Sequence, residues 1–220
     1  MKNKISNKIV FSIVLLVIAL IFLFCFYQTI LIGAGRYLTP EGMGKADVVV
    51  VEGTELIREE AVRIGLRLLS SERANRLVVV YQNSENEKII GRPLNYNFFL
   101  IQELENLGLK KDQIQVLEVP KEHPITLLEA QIVLSNLSKS GVRSAILVTE
   151  GFHTRRSFWT YKKVGIPLNI KIIPYPYFIN YRNETWWQQV SGVYKFVEEF
   201  LKFFYYLFRG YIPVKSLLVT

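Results

Sequence analysis

Three short runs of β-branched residues restrict this chain more than any other feature. Ala46–Glu52 (ADVVVVE), Arg76–Tyr81 (RLVVVY) and Ser144–Thr149 (SAILVT) are nearly continuous apolar stretches with no polar alternation. Strands of that kind are buried on both faces, as in parallel sheets covered by helices. Helical spacing fills the gaps. Glu55–Leu69 places Ile57, Ala61, Ile64 and Leu68 on one face, and Phe98–Leu107 ends at Gly108. A polar loop is expected through Asn83–Gly91, and Gln113–Val119 is a weaker third strand. Thr126–Leu137 and His153–Val164 are further helices, Leu168–Ile173 is a fifth strand, and Trp186–Phe208 is a long aromatic helix. The pattern predicts an α/β fold: a doubly wound, mostly parallel five-stranded Rossmann-like sheet. With strand order 3-2-1-4-5 the ligand crevice lies between strands one and four, where Thr54 and His153 would face each other.

A second feature sits upstream. Ile9–Ile32 carries no charge, and at about 1.5 Å per residue its roughly 24 residues span a hydrocarbon core of about 30 Å with some tilt. The run is too long for the usual apolar core of a cleaved signal peptide, although Gly33, Ala34 and Gly35 are small enough for a cleavage site. Lys2, Lys4 and Lys8 precede it, whereas Arg36 and Lys45 beyond it are diluted by Glu41 and Asp47. The expected organisation is a cytoplasmic N-terminus (1–8), a single-pass anchor (9–32), a linker (33–45), a periplasmic or extracellular domain (46–212) and a tail (213–220). Cys25 lies within the apolar run, so the domain has no disulfide framework. The net charge of +8 is scattered rather than clustered. It points to the lipid bilayer and to anionic ligands as partners, not to nucleic acid.

Candidate site residues follow from the strand ends. His153, at the start of a helix, meets unpaired N–H groups and the positive end of the helix dipole, which favour a neutral ring that accepts a proton. Arg156 lies one turn on and suits a phosphate or carboxylate. The alternative is a capping histidine beside a solvated arginine. Thr126 and Glu129 form T-x-x-E, either a capping box or a carboxylate directed over the crevice as acid, base or cation ligand. Gly53-Thr54 offers turn N–H groups to an anion, and Arg58 can reach the same place or remain solvated. Two histidines at no ligand spacing support no metal centre, and neither G-x-G-x-x-G nor G-x-S-x-G occurs. The residues do not identify a cofactor. The aromatic C-terminal helix either packs on the sheet or lies at a membrane.

Four stretches together resemble the YdcF/SanA/ElyC family of envelope proteins. They are ADVVVVEGT, then Thr126-x-x-Glu129-Ala130, then VTEGFHTRRS with Thr149, His153 and Arg156, and finally Glu199, Lys202, Tyr205 and Gly210. The resemblance implies a Rossmann-like domain behind one N-terminal span. It also implies a role in cell-envelope biogenesis, in peptidoglycan or lipid-carrier metabolism, with Thr126, Glu129, Thr149, His153 and Arg156 at the site. Glu150 stands where the family usually has serine, and an acidic group there repels phosphate unless a cation offsets it. Three functions are therefore expected to compete. The first is an enzyme or binder for a phosphorylated lipid or cell-wall precursor, with His153 as base and Glu129 as acid. The others are a non-catalytic envelope adaptor and a binder of a nucleotide-like cofactor.

Overall fold

The structure is a computed structural model that describes residues 2–54, 57–83, 88–89, 92–93 and 96–218. Five strands form one parallel sheet: β1 (Val48–Thr54), β2 (Arg76–Asn83), β3 (Ile114–Pro120), β4 (Ser144–Glu150) and β5 (Lys171–Tyr177). Their order is β3-β2-β1-β4-β5, so strand order reverses beside β1 as expected. The crossovers are α2 (Glu59–Ser70), α3 (Tyr96–Asn106), α4 (Ile125–Lys139) and α5 (Thr154–Gly165). A two-residue antiparallel ladder, Lys88–Ile89 with Arg92–Pro93, stands in the expected polar loop, whose remaining residues 84–87 and 90–91 lie outside the described ones. So does Glu55, the expected start of α2.

Successive valines of β1 point to opposite faces, which is why an unbroken apolar run suits this position. Val48 and Val50 join Val78, Val80 and Leu147 beneath α4 and α5, whose Ala130, Val133, Leu134 and Tyr161 complete that layer. Val49 and Val51 join Leu77, Val79 and Ile146 beneath α2 and α3, with Ala61, Ile64, Leu68 and Leu104. The fifth strand begins three residues later than Leu168. Ile166–Leu168 is instead a 3-10 turn, and Asn169 at φ 55 redirects the chain into β5.

Two helices flank this sandwich. α1 (Lys2–Leu38) runs past the expected end of the apolar segment and is bent by 56° between Lys8–Phe22 and Phe24–Leu38. No single described helix is long and apolar enough to cross a membrane, whereas the two halves of α1 together meet the length and composition required. Side chains of residues 9–22 and 24–30 are largely exposed. The last turns, from the end of the expected anchor into the expected linker, dock on the domain. Trp186 Nε1 donates to the Leu31 carbonyl at 3.0 Å and Asn183 Nδ2 to Thr39 Oγ1 at 3.0 Å. The fully buried Arg155 donates to the Tyr37 carbonyl at 2.8 Å, with its guanidinium 3.7 Å from the centre of the Tyr37 ring. The aromatic segment opens with a 3-10 turn, Trp186–Gln188, and continues as α6 (Val190–Phe208). α6 packs on α5 and α1 through Phe203 and Tyr206.

Candidate functional site

A crevice of about 720 Å³ opens at the carboxyl ends of β1 and β4, with α6 across it. β1 contributes Glu52 and Gly53, β2 contributes Gln82, and β4 contributes Thr149 and Glu150. His123 and Thr126 line one wall, His153 and Arg156 another, and α6 supplies Lys195, Glu199, Lys202 and Tyr205. Among the described residues, no three His, Cys, Asp or Glu side chains converge as metal ligands.

The turn from β4 into α5 presents His153. Gly151 adopts φ 45, and a Cβ there would meet Tyr181 Oη at 2.0 Å, so a glycine is required. Thr149 Oγ1 donates to Thr154 Oγ1 at 2.7 Å, and Thr154 Oγ1 donates to the Gly151 carbonyl at 2.6 Å, which pins the turn. Phe152 plugs an aromatic pocket of Phe178, Tyr181, Trp186 and Phe196. Its neighbour His153 is thereby turned the other way, into the crevice. His153, Arg156 and Ser157 then share one helix face through the i, i+3, i+4 spacing.

At the base of the crevice these residues form a chain of charges. His153 Nε2 lies 2.9 Å from Glu52 Oε1, which also accepts from Ser157 Oγ at 2.5 Å. Glu52 Oε2 is buried with no hydrogen-bond partner among the described residues. Arg156 grips Glu199 with Nε at 2.9 Å and Nη2 at 3.0 Å, and Nη1 donates to Thr126 Oγ1 at 2.8 Å. Its ring neighbour is Tyr206, 4.8 Å away.

His153 Nδ1 has two neighbours that demand different proton positions. Arg156 Nη2, at 2.8 Å, only donates and therefore calls for a neutral ring. Glu199 Oε2, at 3.2 Å, calls for a proton on Nδ1, which with Glu52 at Nε2 makes the ring an imidazolium. Burial lowers the His153 pKa and Glu52 raises it; Arg156 lowers it again and Glu199 raises it, and the balance carries it up to about 9. Two carboxylates outweigh one guanidinium, so the imidazolium is the favoured form at neutral pH. The neutral ring expected from the helix dipole is thus overturned. Burial pushes Glu199 upward, but Arg156 and His153 hold it well below the usual carboxylate range.

The other expected site residues separate into three groups. Thr126 and Glu129 do not form a capping box, because Pro124 occupies the N-cap of α4 and both side chains are buried in the tertiary contacts. Glu129 lies beneath the crevice rather than in it. It accepts from the Gly53 N–H at 2.9 Å, Tyr161 Oη at 2.8 Å and Gln82 Nε2 at 3.3 Å. Burial, then the charge of Glu52, raises its pKa to about 7. The Gly53 N–H is therefore engaged with a carboxylate and is not offered to an anion. Arg156 is also largely committed, with three of its five N–H donors given to Glu199 and Thr126. Thr149 spends its hydroxyl on the turn, while Arg58 and Glu150 line the crevice. The backbone of Thr54 ends β1, and its side chain lies outside the described ones.

Glu52 meets His153 across the switch point. That role was missed because Glu52 reads as the polar end of a strand. Glu199 was visible only as part of the C-terminal resemblance. Its position, with Lys195 and Lys202 on the same side of α6, was the signal that a charged face looks inward. At the crevice mouth, Lys195 and Lys202 flank Glu198 at 3.1 and 2.7 Å, as half-exposed pairs that a ligand can exchange. The domain is thus a doubly wound α/β unit with a charged switch-point crevice. No protein-family model matches the chain, and no curated protein sequence matches it.

Proposed function

We propose that this chain is a membrane-anchored extracytoplasmic protein of the YdcF/SanA/ElyC type. In this reading it binds or processes an anionic, membrane-borne ligand in cell-envelope biogenesis. The observation that carries the reading is the crevice's division of charge. Arg58, Lys195 and Lys202 stand at the mouth, whereas Glu52 and Glu199 stand at the base with His153 and Arg156. The charges at the base cancel among themselves, Glu52 and Glu199 against His153 and Arg156, while the lysines and Arg58 at the mouth attract a phosphate, so the anionic group stays outside and an uncharged, hydroxyl-bearing part reaches inward. The carboxylates, Gln82 and the tyrosines can bond to hydroxyls there. A lipid-linked sugar phosphate has that chemistry. His153, partly exposed to the crevice and protonated between two carboxylates, is the natural acid.

The anchor reading rests on the uncharged stretch of α1 and on its lysine-rich start. The test is thermal unfolding of the full chain in detergent with a polyprenyl phosphate, its sugar-linked form, inorganic phosphate or nucleotides. At roughly 100-fold excess over Kd a ligand adds about 2.7 kcal/mol, a rise of roughly 5–10 °C for a domain of this size. The sugar-linked lipid is expected to give that rise, and Arg58→Glu with Lys202→Glu to remove it. A rise with nucleotides alone would reject the proposal. His153→Ala and Glu52→Gln chains that repair an envelope defect as well as the wild type would reject acid–base chemistry while leaving binding intact.

A further inference from the structure

Helix α6 buries one face and leaves another without a partner. Glu199, Phe203 and Tyr206 turn inward, while Val193, Tyr194, Val197, Leu201, Tyr205 and Phe208 are all exposed. At 3.6 residues per turn these six form one stripe along the whole helix, with no charge inside it. Leu201 and Tyr194 are 63% and 64% exposed, and Phe208 is 84% exposed. A contiguous apolar surface of this kind marks an interaction site. Lys195 and Lys202 border the stripe on the crevice side with Glu198 paired between them, and Arg209 follows its end, so the edge carries a net positive charge.

Two observations select the occupant. The flank of the stripe reaches α1: Leu31, where the exposed apolar part of α1 ends, packs in the cluster of Trp186 and Phe196, and the Phe196 ring stacks at 5.9 Å on Phe200, which is itself partly exposed beside the stripe. An edge that stays net basic through Lys195, Lys202 and Arg209 even with Glu198 between the lysines, beside an apolar and aromatic face, suits a helix that lies in the plane of an anionic bilayer. We propose that α6 is such a helix. Its stripe enters the headgroup–acyl boundary of a membrane, and its lysine edge holds the crevice mouth at the level of the lipid headgroups. This shares with the proposed function the reading of α1 as an anchor, but the surface itself stands on α6.

The experiment uses the full chain in vesicles of phosphatidylcholine and phosphatidylglycerol, with Cys25→Ser removing the native thiol. An environment-sensitive fluorophore is attached in turn at Leu201→Cys, Phe208→Cys, Ile18→Cys and Asn75→Cys, the last an exposed position at the far end of the sheet. Expected is a blue-shifted emission at positions 201 and 208, quenched by lipid-borne quenchers roughly threefold or more above position 75. If position 18 is quenched while 201 and 208 behave like 75, the α6 proposal falls and the anchor stands. If 201 and 208 are quenched and 18 is not, the α6 proposal stands and the anchor reading falls. A blue shift at 201 and 208 that ignores lipid-borne quenchers would mean that protein covers the stripe, which overturns the proposal.

Discussion

At the scale of single residues, the site turns on how far charges in the folded chain outweigh local ones. The helix start presses His153 towards neutrality, but the effect is confined to the first turn and is modest. Two carboxylates within 3.2 Å exceed it. Neither is close in sequence, since Glu52 lies 101 positions away and Glu199 46. Both His153 and Glu129 hold protons in the folded chain above their ordinary pKa values. Their contributions to stability are therefore full below those ordinary values and are lost as pH rises through the folded ones. For Glu129 the window runs from 4.5 to about 7, and for His153 from 6.5 to about 9. Denaturant unfolding across pH 4–10 is expected to show Glu129→Gln flattening the first decline and His153→Gln the second. A wild-type stability that rises across both windows would contradict these assignments.

Elements are held together here by a few buried contacts between partners far apart in sequence. The Arg156–Glu199 pair ties α5 to α6 with both groups almost wholly buried. Breaking such a pair leaves one charge uncompensated, at a cost of about 3–5 kcal/mol, whereas replacing both groups with apolar ones is often neutral. Arg156→Met alone is therefore expected to lower Tm sharply, and Arg156→Met with Glu199→Leu to recover most of the loss. Calorimetry on the two proteins checks this. The double variant also separates packing from chemistry: it should fold and keep a ligand-induced rise in Tm from the mouth residues, yet fail to repair an envelope defect, because His153 no longer has its Glu199 and Arg156 neighbours.

For the molecule as a whole, the decisive feature is that α1 does not end in a loose tether. Its last turns are hydrogen-bonded to the domain through Leu31, Tyr37 and Thr39. Arg155 joins three separate parts of the chain, accepted by the carbonyls of Tyr37 and Ser216 and flanked by the Phe203 ring at 5.7 Å. A domain fixed in this way keeps one orientation relative to α1. Arg155→Ala is expected to speed amide exchange across residues 31–39 by at least tenfold, an opening cost lowered by about 1.4 kcal/mol, while the sheet amides keep their protection. Unchanged exchange in that segment would show that Arg155 contributes nothing to the junction.

The sequence alone was enough for the strands, their parallel pairing and the place of the crevice, because burial on both faces and a 3.6-residue period are local patterns. It also sufficed to bring Thr126, His153 and Arg156 to one place, since each sits beside a strand end or on the first turn after it. Only the tertiary structure decided what those residues do there. It set Glu52 against His153, used Arg156 on Glu199, placed Glu129 under the Gly53 N–H and left one face of α6 bare. The physical reason is range. Secondary structure follows from neighbours a few residues away, whereas a charge, an ion pair or a buried carboxylate acquires its role from groups that only folding brings within about 4 Å.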